Sequence, residues 1–149
     1  MVYSAGIIPF RMNEGEMEFF VGHPGGRHWE NKNYWAYLKG CVEDGEDWLG
    51  TALREFKEES GLKLEGVTNY DLIALGSVLQ NPTKTAIAYG LHYPNIDPNE
   101  CHSNICEEGT HPEVDRYRWM TLGQLRNVTH KTHIVFYQRI IDMFTVVEV

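Results

Sequence analysis

Hydrophobic and polar positions divide the first forty residues into short apolar stretches separated by turn residues. Tyr3–Phe10 and Met17–Val21 are apolar stretches on either side of the polar sequence 13–15, and we predict two strands joined by a turn. The following segment, residues 23–28, contains proline and glycine and is predicted to be a loop. A further short strand is expected near Tyr34–Leu38, ending at Lys39-Gly40.

The pattern changes to a helical period between Asp47 and Ser60. Apolar side chains recur there at intervals of three and four residues, which predicts a helix with one apolar face; they are Leu49, Ala52, Leu53 and Phe56. Asp44 or Asp47 is the predicted N-cap, and Gly61 is placed to end the helix.

The second half of the chain returns to strand patterns. Residues 72–78 and 85–93 predict a β-hairpin that turns at Asn81-Pro82-Thr83. Residues 94–112 are polar and irregular, and a loop of that length in a small domain is more often functional than accidental. Val114–Trp119 predicts another strand.

Two helices are predicted after that strand. Leu122–Arg126 is short, whereas the last segment carries an apolar face that would cover the sheet, made by Ile134, Ile140, Ile141 and Phe144. With no internal repeat or low-complexity linker, residues 1–149 are expected to form a single domain. Strands mixed with two main helices predict an α/β sandwich.

The composition is that of a soluble globular protein, with 42% hydrophobic and 23% charged residues. No apolar run approaches the roughly 20 residues that a membrane helix requires, and the first residues do not resemble a signal peptide. Three cysteines cannot all pair within one chain, which favours a reducing compartment. We therefore expect a cytoplasmic protein with no membrane partner.

The net charge of -8 argues against a nucleic-acid partner, which would require a basic surface. An acidic protein can still bind a polyphosphate when divalent metal ions lie between its carboxylates and the substrate.

Clustered carboxylates of this kind occur on the predicted helix. Glu55, Glu58 and Glu59 are spaced i, i+3 and i+4, which places them on neighbouring positions of one helix face. Like charges at this spacing repel one another, and a positive ion over the cluster would relieve that repulsion. Oxygen ligands in this number suit Mg²⁺ or Mn²⁺, although the glutamates taken alone are equally well interpreted as a solvated acidic face.

The residues around the glutamates favour the metal interpretation. Arg54 lies beside Glu55 and could pair with Glu46, and Gly40 and Gly61 bracket the unit. The segment 40–62 reads GCVEDGEDWLGTALREFKEESGL and resembles the Nudix box, G-x5-E-x7-R-E-U-x-E-E-x-G-U with U a bulky apolar residue. Every defined position is filled, by Gly40, Glu46, Arg54, Glu55, Phe56, Glu58, Glu59, Gly61 and Leu62.

The resemblance extends beyond the box. Ser4-Ala5-Gly6 is similar to the opening strand of many Nudix domains. The sequence 39–47 is similar to the matching segment of diadenosine polyphosphate hydrolases, with Leu38 where that branch usually has proline, and residues 113–119 resemble its late strand. His23-Pro24-Gly25-Gly26 resembles a bacterial branch of predicted Nudix hydrolases. The family implies an α/β/α sandwich with a mixed sheet between helices.

The resemblance also implies roles for the residues of the box. Glu58 and Glu59 would ligate Mg²⁺ or Mn²⁺, Glu55 would be a ligand or the base that orients water, and the main-chain oxygen of Gly40 would add a ligand. Arg54 would take part in catalysis by orienting carboxylates. The expected reaction is hydrolysis of a phosphoanhydride bond.

Three residues outside the glutamate cluster are further candidates. Glu113 is a candidate metal ligand or general base, and the choice of base between Glu55 and Glu113 stays open. Lys39 could bind a phosphate as a point charge, with a surface lysine as the alternative. Arg27 could meet a distal phosphate, although a plain connecting loop is the more common role for such a segment.

The substrate is expected to be nucleotide-like, with dinucleoside polyphosphates favoured over ADP-ribose and nucleoside triphosphates. A non-catalytic Nudix domain that senses a nucleotide is the alternative from another class, and a homodimer is compatible with the sequence. Several aromatic residues could stack on a base, and the sequence does not choose among Trp29, Tyr34, Tyr89 and Tyr117. A zinc site in the late loop has weaker support, because the spacing matches no familiar pattern at Cys101, His102, Cys106 and His111.

Overall fold

The computed structural model describes residues 1–144, in which six strands form one mixed sheet. The strand order is β4-β5-β1-β2-β6, with β3 paired to β1; β1 and β5 are parallel, and the other pairs are antiparallel. The strands are β1 (Val2–Asn13), β2 (Glu16–Pro24), β3 (Leu38–Cys41), β4 (Ile73–Asn81), β5 (Lys84–His92) and β6 (Val114–Thr121).

Helices cover both faces of this sheet. They are α1 (Trp48–Ser60), α2 (Leu122–Leu125) and α3 (Ile134–Phe144), and short 3-10 turns lie at Asn69–Asp71, Pro98–Glu100 and Lys131–His133. One core cluster holds Ala52 and Phe56 of α1, and the other holds Phe136 and Ile140 of α3. The predicted α/β/α sandwich with a mixed sheet between helices is therefore confirmed.

The boundaries of α1 agree with its sequence signals. Asp47 is the N-cap, and its Oδ1 accepts a hydrogen bond from the Gly50 amide at 2.7 Å. Gly61 ends the helix with φ 73°, a left-handed conformation that glycine adopts without a steric penalty. The choice between Asp44 and Asp47 is thus settled for Asp47.

The strand predicted near Tyr34–Leu38 is present and ends close to the predicted Lys39-Gly40, but its predicted start was wrong. The ladder with β1 runs over Leu38–Cys41, and residue 36 makes an isolated bridge to Gly22. The backbone before β3 does not extend the ladder with β1, because the Trp35 amide donates to the Val128 carbonyl at 2.7 Å instead. Aromatic content favoured a strand here, but a tertiary contact overrides that preference.

Strand β1 pairs with different neighbours along its two halves. Its first half pairs with β3, where Gly6 lies opposite Lys39, and its second half pairs with β2. A Cβ atom at Gly6 would lie 2.7 Å from the Cβ of Lys39. It would also lie 2.1 Å from the Leu38 carbonyl oxygen, so glycine at residue 6 permits the close approach of the β3 backbone.

The remaining predicted elements are present. The hairpin extends to Asn81 and Lys84 on its two sides, and the polar stretch 94–112 is a loop interrupted by one 3-10 turn. Within residues 1–144 no helix has the length and apolar character to cross a membrane. The cytoplasmic location stays a prediction, and the part of the single-domain prediction that falls on residues 145–149 lies outside the described residues.

Candidate active site

The three glutamates of the helix face lie at different depths. Glu59 is buried at 8% exposure, Glu55 is partly buried and Glu58 is exposed. Helix α1 packs against β3, and the contact is so close that a Cβ at Gly40 would lie 2.1 Å from the Glu55 carboxyl carbon. The absence of a side chain at residue 40 therefore lets a helix carboxylate lie directly over the strand backbone.

Arg54 is hydrogen-bonded to three carboxylates at once. Its Nε and Nη2 donate to Glu46 at 2.7 and 2.9 Å, which confirms the predicted ion pair between the helix and the loop before it. Its Nη1 donates to Glu55 at 2.9 Å and to Glu58 at 3.2 Å. Its hydrogen bonds are the main reason why the pKa of Glu46 is lowered to about 2.

Burial has the largest influence on the pKa of the two deeper carboxylates. Burial, followed by repulsion from Glu55, raises the pKa of Glu59 well above its usual range. Burial is also the main cause that raises the pKa of Glu55, and Glu113 is close enough to add to both shifts. The Oε2 atom of Glu59 is buried without a hydrogen-bond partner, and such an atom is costly unless a ligand or solvent reaches it.

This donor set fits a hard divalent cation. Three carboxylates and the nearby main-chain oxygen of Gly40 are the oxygen ligands that Mg²⁺ and Mn²⁺ prefer, and the buried Glu59 oxygen has no hydrogen bond in the protein. In residues 1–144, however, no three acidic, histidine or cysteine side chains are already arranged as metal ligands. Arg54 is one reason, because its Nη1 atom bonds both Glu55 and Glu58.

The cleft beside these glutamates consists of two adjoining cavities. The first, which we call the carboxylate cavity, has a volume of about 570 Å³ and contains the acidic residues of α1. The second, the aromatic cavity, has a volume of about 490 Å³ and is lined by Trp29, Tyr34 and Lys84, among others. Both cavities are lined by the same three residues where they meet, Lys39, Glu59 and Glu113.

The aromatic cavity has a basic wall and an aromatic wall. Trp29 and Tyr34 stack with ring centroids 4.8 Å apart. Lys39 and Lys84 make no salt bridge within residues 1–144, and burial together with the charge of Lys84 lowers the pKa of Lys39. His130 and Gln80 line the same space. Two cations that make no salt bridge in residues 1–144, beside two partly buried aromatic rings, suit a ligand with phosphate and aromatic groups.

Glu113 lies across the cleft from α1. Its side chain is exposed. Its backbone is held by two hydrogen bonds: the amide donates to the Asn104 carbonyl at 3.0 Å, and the carbonyl accepts from the Gly25 amide at 3.0 Å. The structure therefore brings a carboxylate from the start of β6 to the same cleft as the α1 glutamates.

Arg27 is the predicted site residue that the structure does not bring to the glutamates. It is exposed and lines a separate cavity together with Glu30 and His111. Conversely, sequence reasoning missed Lys84, Gln80 and His130. A cation at the start of a predicted hairpin strand was a weak signal for Lys84, whereas the sequence carries no comparable signal for the other two.

The four candidate zinc ligands do not converge. Cys106 Sγ lies 3.6 Å from His111 Nδ1, but Cys101 Sγ lies 3.6 Å from the Asp97 carbonyl, and the His102 ring packs against Gly61. No metal-binding group of three such side chains occurs within the described part of the chain, residues 1–144. The thiols are free in this loop.

A family model described as NUDIX domain matches residues 2–142. The mouse (Mus musculus) protein named "Nucleoside diphosphate-linked moiety X motif 6" is 28% identical over 103 residues, which are 69% of this chain. The chain spans 31% of the length of that relative.

Solved structures of the same architecture were also found. A C. elegans Ap4A hydrolase in a binary complex superposes with a TM-score of 0.67 at 18% identity, covering 97% of this chain and 100% of that chain. The NUDIX domain of Shewanella oneidensis NrtR, complexed with ADP ribose, gives a TM-score of 0.68 at 12% identity, covering 97% and 89%. At these identities the likeness establishes the fold.

Proposed function

The chain belongs to the NUDIX domain family, and on that basis we propose that it hydrolyses a phosphoanhydride bond in a nucleoside diphosphate-linked compound with the aid of Mg²⁺ or Mn²⁺. The observation that carries the proposal is the cluster of Glu55, Glu58 and Glu59, in which a buried oxygen of Glu59 has no partner. We also propose that residues 1–149 act as one domain, which the match over residues 2–142 supports.

The reaction assigns a role to each residue of the carboxylate cavity. The ion would be held by Glu55, Glu58, Glu59 and the Gly40 carbonyl, and when bound it neutralises phosphate charge and polarises the attacking water. Arg54 holds Glu55 through a hydrogen bond of 2.9 Å and connects it to the preceding loop through its hydrogen bonds to Glu46.

Hydrolysis also requires a proton acceptor. The water oxygen bonds to phosphorus, the P–O bond of the anhydride breaks, and the leaving phosphate oxygen takes the bonding electron pair. Either Glu55 or Glu113 accepts the proton of the water. One oxygen of Glu55 accepts a hydrogen bond from Arg54, whereas no salt bridge of Glu113 occurs in residues 1–144.

The aromatic cavity favours a substrate that is longer than a single nucleoside diphosphate. Lys39 and Lys84 would bind the phosphates beyond the cleaved bond, and the rings of Trp29 and Tyr34 offer a surface for an aromatic base. We favour dinucleoside polyphosphates, in line with the fold of the C. elegans Ap4A hydrolase. ADP-ribose is the second candidate, because a NUDIX domain of similar fold was solved in complex with ADP ribose.

A substrate panel tests the proposal. The purified chain with Mg²⁺ or Mn²⁺ would be assayed against dinucleoside polyphosphates, ADP-ribose and nucleoside triphosphates, beside Glu58→Gln and the surface control Glu65→Gln. We expect turnover that Glu58→Gln reduces by about 100-fold or more and that Glu65→Gln leaves intact. Comparison of Glu55→Gln with Glu113→Gln identifies the base.

Three outcomes of this panel would contradict the proposal. Absence of turnover for every compound would exclude a hydrolase of these substrates, and binding without turnover would favour a nucleotide-sensing domain. Equal activity of Glu58→Gln and the wild-type chain would remove the glutamate cluster from the mechanism.

A further inference from the structure

A histidine at the end of β2 is enclosed between two hydrogen-bond acceptors. His23 is fully buried, with Nδ1 2.7 Å from Asp115 Oδ1 and Nε2 2.8 Å from the Lys32 carbonyl oxygen. A carboxylate and a carbonyl are both hydrogen-bond acceptors, so an N–H on either side of this ring has an acceptor within hydrogen-bonding distance.

An aromatic ring and an arginine lie close to His23 and its carboxylate partner. The Trp35 ring meets the imidazole edge to face at 5.5 Å, and the Arg116 guanidinium lies over Trp35 at 5.6 Å. Arg116 Nε also lies 3.5 Å from the Asp115 carboxylate. His23 therefore shares its carboxylate partner with a surface arginine, and its other partner belongs to a loop.

That loop carries the aromatic wall of the cleft. The amides of Trp29 and Lys32 donate to the carbonyls of Gly26 and Trp29 respectively, at 3.1 and 2.9 Å, so residues 26–32 form a compact turn. The Lys32 ammonium lies 5.2 Å from the centre of the Trp29 ring. A bond to the Lys32 carbonyl thus fixes the end of the turn from which Trp29 reaches Tyr34.

The beginning of the same turn is fixed to the opposite side of the cleft. The Gly25 amide donates to the Glu113 carbonyl, and a Cβ at Gly25 would lie 1.9 Å from the Pro112 carbonyl oxygen. Gly26 has φ 97°, and a Cβ there would lie 2.8 Å from the His111 ring. The sequence His23-Pro24-Gly25-Gly26, whose role the proposed reaction does not explain, therefore connects the aromatic turn with the segment that carries Glu113.

We propose that His23 is a positioning residue for substrate binding: by bonding Asp115 and the Lys32 carbonyl together, it holds Trp29 and Tyr34 at a fixed distance from Glu113. The aromatic cavity is then a preformed site for the base of the substrate. Only the identity of that ligand rests on the function proposed above; the anchoring of the turn does not.

Two isosteric variants separate the two hydrogen bonds. The amide nitrogen of asparagine lies near the position of Nδ1, so His23→Asn keeps the donor to Asp115 and loses the donor to Lys32. The amide nitrogen of glutamine lies near Nε2, so His23→Gln keeps the donor to Lys32. His92→Gln changes an exposed histidine outside both cavities and serves as the matched control.

Three measurements on these variants test the proposal. We expect His23→Asn to raise hydrogen–deuterium exchange of residues 26–34, to weaken the binding of AMP measured by calorimetry about tenfold, and to raise KM about tenfold with kcat within about twofold. His23→Gln should restore part of each loss, because it keeps the bond to Lys32 and lacks only the bond to Asp115. Equal exchange and AMP affinity in His23→Asn and the wild-type chain would overturn the proposal. Equal changes in exchange and AMP affinity in both His23 variants would also overturn it, because they would indicate a role of ring packing alone.

The test remains decisive if His23→Asn does not fold or if the enzyme assignment fails. Asp115→Ala removes one partner at the surface and should still raise exchange in residues 26–34; unchanged exchange would overturn the proposal. Exchange is measured without substrate, so a chain that hydrolyses nothing but shows the expected exchange would refute the proposed function and retain the role of His23.

Discussion

The carboxyl carbon of Glu55 lies in the space that a side chain at Gly40 would fill, 2.1 Å from the point where a Cβ on that residue would lie. Because the strand residue is glycine, the Glu55 carboxylate can lie directly over the backbone of β3. Glycine is therefore needed at residue 40 for a local reason, because the Glu55 carboxylate occupies the place of a side chain there.

Gly40→Ala should therefore displace Glu55 and lower kcat by about 100-fold, the order of loss expected when a reacting group moves by about 1 Å. Gly123→Ala is the matched control, because a Cβ there would lie at an ordinary 3.8 Å from Thr121. Turnover and unfolding temperature would be measured together. Full activity in Gly40→Ala would show that the Glu55 position does not matter.

Glu46 should make stability depend on acidity. Its hydrogen bonds from Arg54 lower its folded-state pKa to about 2, against 4.5 for an unperturbed glutamate. A depressed carboxyl pKa contributes stability that is present above pH 4.5 and is lost as the pH falls toward 2. Urea unfolding between pH 5 and 2 should show a weaker pH dependence for Glu46→Gln than for the wild-type chain; identical slopes would count against the Arg54 pairing.

His133 should produce a second pH dependence at higher pH. Burial, then the charge of Lys39, lowers its folded-state pKa from 6.5 to about 2, and its Nε2 lies 2.8 Å from Gln80 Oε1, to which a neutral ring donates. Below pH 6.5 His133 is protonated in the unfolded chain but stays neutral in the folded chain. The free energy of unfolding therefore decreases as the pH falls, by up to about 1.4 kcal/mol per pH unit.

Chemical denaturation of His133→Gln from pH 7 to 5 would measure this effect. The variant should lose that part of the slope, whereas the exposed His92→Gln should follow the wild-type curve. A slope that His133→Gln leaves unchanged would assign the pH dependence to other groups.

Lys84→Met should weaken substrate binding more than it slows turnover. Removing this charge takes one of the two cations from the aromatic cavity and relieves the repulsion that helps to lower the pKa of Lys39. We expect KM to rise about tenfold for a dinucleoside polyphosphate, with a smaller change in kcat. The exposed Lys63→Met is the control, and an unchanged KM would exclude a phosphate contact at Lys84.

The contrast between Glu55 and Lys84 shows what the sequence could predict. The glutamates and Gly61 follow from helical spacing and a contiguous motif, since these interactions are local. Lys84 and His130 reach the cleft through strand pairing and a late loop, which no spacing rule links to residue 40. The start of strand β3 was misplaced for the same reason, because the Trp35 amide is bonded to Val128, far along the chain.

The parallel ladder of β1 and β5 joins Val2 to Lys84, which are separated by more than half of the chain. Such distant pairing is entropically costly to close and is typical of slow folding. During refolding, α1 with its glutamates can form from local contacts, but the two lysines meet only after this closure. During refolding, ligand binding should consequently recover later than the circular-dichroism signal of the helices. The cleft is therefore expected to form late in the folding of the chain.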